Sequence, residues 1–167
     1  MRKLIVVLSL LTLAWPVLAQ APDAVVRQLY QTHRKLNQLE KTVAHSGSLF
    51  TPGFLKLFQK AIMSPPEGGD FLDYDFLINS QDSWSDFQVG QTHWDGKYAI
   101  VPVTLWLGEP GHGRNPNIKS TLAKVFLTDL GHGYQIYDIK HVGNGVDGRS
   151  VRDDLTTIVN ASQQRKK

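Results

Sequence analysis

Cysteine is missing from all 167 residues, and its absence excludes a disulfide framework, thiolate catalysis and lipid attachment at a cysteine. A basic surplus is nearly missing as well. Taking Arg2 and Lys3 from the 18 basic residues leaves 16 against 15 acidic, so the body of the chain has no overall excess of positive charge for nucleic acid or an anionic membrane. No apolar run reaches the about 20 residues that cross a bilayer. Absent too are the G-x-S-x-G elbow, the H-E-x-x-H helix, the phosphate-cradling P-loop and the dinucleotide glycine fingerprint. No internal repeat is present. Nothing in the sequence calls for a cofactor, and enzymatic activity is not the expected role.

At the N-terminus stands a secretory signal. Arg2 and Lys3 supply its positive region, residues 4–13 its apolar run, and Val17 and Ala19 the −3 and −1 positions of a cleavage site before Gln20. Residues 1–19 are therefore read as a signal peptide, 20–164 as one domain and 165–167 as a basic tail. The expected location is periplasmic or secreted, with no stable membrane insertion after cleavage.

Two helices are expected first. Val26, Leu29, Tyr30, His33 and Leu36 recur at helical spacing behind an acidic cap at Asp23, and the pattern runs to about Ala44 before the breaker cluster His45-Ser46-Gly47-Ser48. Thr51-Pro52 repeats the start signal, and Phe54, Leu55, Phe58 and Ile62 form the second stripe. His33 lies on an apolar face, where a histidine packed and bonded locally is the plainer reading than a ligand. Aspartates 70, 73, 75, 82 and 86 are interleaved with aromatics. They lack the calcium-loop order D-x-[DN]-x-[DN]-G, so capping of short turns is the simpler role.

Four antiparallel strands are predicted across residues 87–141, with Asp95-Gly96 as a type I′ hairpin turn. The strand over 97–107 is apolar at both alternating sets and is expected to be covered on both faces. Pro102 within it belongs at a bulge or an unpaired position. After the fourth strand, Ser150 opens a short C-terminal helix in a capping-box-like pattern with Asp153. The fold class is thus α+β: a curved four-stranded antiparallel sheet covered by N-terminal helices, with a short C-terminal helix.

The run Asp73-Tyr74-Asp75-Phe76 followed by Ser80-Gln81-Asp82, after two helices and before a strand meander, resembles secreted bacterial proteins of the domain-of-unknown-function 3828 family. These look like members of the nuclear-transport-factor-two-like, or cystatin-like, cone superfamily. The resemblance implies helices packed into the concave side of a curved sheet and a pocket put to different uses by different members. It implies no particular activity.

Two Gly-His-Gly tripeptides, at 111–113 and 131–133, suggest a metal pair, but an antiparallel meander places their loops at opposite ends of the sheet, and no metal site is assigned. The same order does bring the start of the first strand, the loop after the second and the end of the fourth to one end. Asp82, Trp84, His112, Arg114 and His141 are accordingly the candidate ligand-binding residues. A His with an Asp suits acid-base chemistry; an Arg with a Trp suits an anionic or sugar ligand. The expected function is a small binding module for an unidentified protein or small-molecule ligand. Its alternatives are an inhibitor or immunity protein against a cell-wall enzyme, and a His-Asp hydrolase or isomerase.

Overall fold

The computed structural model describes residues 20–64, 74–81, 83–109, 112–114, 120–142 and 148–165. The signal segment 1–19, the candidate residue Asp82 and all of the basic tail but Arg165 lie outside them.

Helix α1 spans Pro22–Leu36, with Pro22 at its first position and Ala21 as cap. Asp23 falls inside the first turn rather than at the cap, where it still faces the positive end of the helix dipole. The helix does not continue to Ala44. Asn37 adopts the left-handed conformation (φ 48°, ψ 35°) and its N–H closes onto the His33 carbonyl, a terminator that asparagine tolerates better than other residues with a Cβ. A separate α2, Leu39–His45, follows. A 3-10 turn at Gly47–Leu49 leads to α3, Pro52–Ile62, whose cap Thr51 accepts a hydrogen bond from the Phe54 N–H.

The sheet holds four long strands and two of two residues each. They are β1 (Trp84–Val89), β2 (His93–Trp94), β3 (Ala99–Leu107), β4 (Ser120–Asp129), β5 (Tyr134–Val142) and β6 (Arg149–Ser150). Their order is β1-β3-β4-β5-β6, all antiparallel, with β2 also on β3. The first expected strand is therefore divided. Gly90 N–H reaches the Pro102 carbonyl at 2.8 Å, and the break between β1 and β2 lies beside the proline that has no N–H to offer it. The Asp95-Gly96 turn is not type I′. Only Gly96 has positive φ (87°), while the Asp95 carboxylate accepts hydrogen bonds from the N–H groups of Lys97 and Tyr98 and shapes the turn itself.

Helix α4, Val151–Gln164, follows β6 and packs against α3 and β5. Its cap Ser150 accepts from Asp153 N–H, as the capping-box pattern requires. Together α1, α3 and α4 bury one face of the sheet. Ala99, Val101, Val103 and Leu105 of β3 and Ala123, Val125 and Leu127 of β4 meet Val26, Leu29, Phe54, Phe58 and Leu155 there. The architecture is α+β, with the helical layer on one side only. The alternate residues of β3, including Ile100, Pro102, Thr104 and Trp106, are half-exposed, so the expectation that β3 is covered on both faces fails. Those side chains shield one another across strands instead of meeting a second layer.

Candidate functional site

The start of β1, the β3–β4 connection and the end of β5 do lie at one end of the sheet, since Trp84 pairs with Leu107, Trp106 with Ser120, and Leu122 with Val142. Within that end the candidate residues take different environments. Trp84 is turned into the core, its ring parallel to His33 at 5.5 Å and edge-on to Tyr30 at 6.3 Å. His141 is also buried, opposite Ala123 in the sheet. Arg114 lies on the other side, 4.2 Å over the Trp106 ring, where it donates to Asp86 at 2.9 Å. Arg34 of α1 reaches the second oxygen of Asp86 at 3.5 Å. His112 is exposed beside Glu109 at 3.5 Å. Arg114 and Asp86 are thus brought together, while Trp84 falls on the opposite face: the register shifts between Trp84 and Asp86, so that Trp84 pairs with Leu107 and Asp86 with the adjacent, oppositely directed Trp106. His132 sits in the β4–β5 turn at the far end from His112.

A His and an Asp do meet, at a place the sequence left undivided. His33 Nε2 lies 3.1 Å from Asp75 Oδ2, off the line of a good hydrogen bond, and its Nδ1 lies 3.0 Å from Thr42 Oγ1. The Thr42 hydroxyl donates its proton to the Gln38 carbonyl at 2.7 Å. Its oxygen is then the acceptor, and His33 Nδ1 carries the proton. Asp75 Oδ1 accepts from Leu77 N–H at 2.8 Å, and the Asp75 carbonyl accepts from Asn79 N–H at 2.8 Å. Tyr30 donates to the Leu77 carbonyl, and burial pushes its phenol pKa up. This cluster fastens the turn at 75–80 to α1 and α2.

The uncovered face carries a second group of residues, none of them among the sequence candidates. Tyr98 and Tyr137 stack at 4.8 Å, and Phe126 stands edge-on to Tyr98 at 6.0 Å. Cations lie over these rings: Lys97 over Tyr98 at 4.8 Å, Arg152 over Tyr137 at 4.5 Å and Lys140 over Phe126 at 5.2 Å. A hydrogen bond with Lys97 holds the Tyr98 phenol below its usual pKa, and the bond to Tyr98 keeps Tyr137 protonated to higher pH. Two depressions flank the stacked pair. One of about 320 Å³ is lined by Phe126, Lys140, Ser150 and Asp138, the other of about 390 Å³ by Thr51, Gly53, Lys97 and Leu130, and Tyr98, Tyr137 and Arg152 border both. Asp138 is bonded to Ser150 at 2.7 Å and to the Ile139 and Arg152 N–H groups, while burial raises its pKa.

The available sequence signal for this face was the second alternating set of β3 with its aromatic ends. Taken as covered, that set hid the platform. No family model matches the chain, and no curated protein matches it.

Proposed function

We propose that the protein is a periplasmic or secreted binding module, without catalytic role, whose recognition surface is the uncovered face of its sheet. One observation carries this reading: the helices bury one face only, and the other displays Tyr98, Phe126 and Tyr137 with cations over the rings and depressions of about 320 and 390 Å³ beside them. Such volumes fall in the range of ordinary ligand pockets, and aromatic side chains supply large contact area at little conformational cost. The succession of helices before an antiparallel sheet also supports placement in the cone superfamily named above, and the N-terminal charge and apolar pattern supports export. Retention on immobilised cell-envelope fractions, separated into glycan, lipid and protein, tests the reading. The wild-type protein is expected to be held by one fraction and a Tyr98→Ala/Tyr137→Ala variant of unchanged circular dichroism to be released. Equal retention of the two would move the surface elsewhere.

A further inference from the structure

The five tyrosines of the chain differ in what surrounds them. Tyr30 is buried and donates to the Leu77 carbonyl, Tyr74 donates to Asp154, and Tyr134 stands against the Trp94 ring. Tyr98 and Tyr137 meet each other, with ring centroids 4.8 Å apart and planes 25° from parallel. Neighbouring strands do not produce this contact. Tyr98 directly precedes β3, Tyr137 lies in β5, and β4 runs between them. A bulge produces it: Leu127 of β4 pairs with Ile136 and Phe126 with Asp138, which leaves Tyr137 as the extra residue of β5. An extra residue of this kind is re-aimed out of the regular alternation, and here it reaches past β4 to Tyr98.

The contact has the form that oxidative coupling of two phenols requires. Both rings are half-buried, and both border the two depressions beside them, so small solutes reach the pair. The phenols are hydrogen-bonded to each other, which brings the ring carbons next to the hydroxyls into proximity. Those are the carbons at which tyrosyl radicals carry spin and join. Lys97 also donates to the Tyr98 oxygen and holds its pKa down, and a phenol with anionic character gives up an electron more readily than a neutral one. With no cysteine in the chain, no internal thiol intercepts a radical formed there.

The geometry points to an oxidative modification site: Tyr98 and Tyr137 of one chain couple to dityrosine, with a peroxide, used by a peroxidase, as the oxidant. Each phenol loses one electron and one proton. The two radicals form a carbon–carbon bond between ortho positions, and the two ortho hydrogens move as protons to the phenol oxygens, restoring both aromatic rings. The two electrons and two protons released reduce one hydrogen peroxide to two waters. The new bond fastens β3 to β5 across β4, whatever ligand the face takes.

The test treats the purified protein, at micromolar concentration, with a haem peroxidase and limiting hydrogen peroxide. Dityrosine fluorescence is expected in the monomer band of a denaturing gel. A tryptic product should join residues 98–114 to residues 125–140 and weigh two hydrogens less than their sum. Tyr98→Phe and Tyr137→Phe keep the rings and are each expected to lower the monomer signal at least about tenfold, because oriented neighbours react at effective concentrations far above that of the protein. Tyr134→Phe is expected to leave it unchanged, and urea to abolish it. Lys97→Gln should move the onset of coupling to higher pH, a shift that a merely structural role for Lys97 does not predict. Monomer dityrosine that survives either Phe variant, a link to another tyrosine, or coupling only between chains overturns the site. So does a protein that stays unlinked while added N-acetyltyrosine couples in the same reaction.

Discussion

His33 shows how one side chain can join three segments. Its ring is 1% exposed, and every polar atom on it must find its partner inside the protein. Thr42 is the partner that decides the tautomer, because its own proton is committed to Gln38. Thr42→Val keeps the shape and removes the acceptor, leaving a buried N–H unpaired at a cost of about 1 to 3 kcal/mol. Thr42→Ser keeps the oxygen and loses one methyl, about 1 kcal/mol. Urea denaturation of the two variants checks this. A valine variant as stable as wild type would mean that Thr42 does not hold the ring. The sequence located His33 on a buried face, and no periodicity reveals its partners. They depend on Asn37, which turns α2 back so that Thr42 faces α1, and on Asp75, supplied from a distant turn.

At the scale of elements, the sheet is governed by Pro102 and Gly90. Proline in an inner strand leaves one neighbour without a donor, and here that neighbour is the edge where β1 stops and β2 begins. Gly90 is needed for space, since its φ is not positive and a Cβ built on it would lie 2.8 Å from Pro102 Cγ. Gly90→Ala is expected to cost about 1 to 3 kcal/mol, the usual range for forced overpacking. The cost should shrink in a Pro102→Ala background, where the clashing ring atom is gone. Thermal melts of the single and double variants give the coupling, and additive effects would show that the two residues do not touch. The strands over 97–107, 119–129 and 134–141 were legible from alternation and turn residues, as were α3 from Thr51-Pro52 and α4 from Ser150. The split of the first strand was not, because it requires knowing which residue lies across from Gly90. The candidate site suffered from the same limit. Chain order correctly brings Trp84, Arg114 and His141 to one end, but the face each occupies follows from register, including the shift between Trp84 and Asp86.

At the scale of the molecule, asymmetry is the main property. A net charge of +3 over the whole chain records nothing of placement, and the uncovered sheet face carries cations and acids together, with Lys140 and Arg152 beside Asp95, Asp138 and Asp153. The other face holds the entire helical layer, with α4 closing against both α3 and β5. Without disulfides, this single core is what maintains the structure. Sheet and helices should therefore unfold as one unit, as small single-core domains usually do. Leu155, fully buried on α4, provides the probe: Leu155→Ala should lower stability by about 2 to 5 kcal/mol. Far-ultraviolet circular dichroism reports the helices, and the near-ultraviolet signal reports packed rings such as Trp84 against His33. Both transitions should shift together and remain superimposed. If the helical signal moved to lower denaturant while the ring signal stayed in place, α4 would be melting separately and the core would not be one cooperative unit.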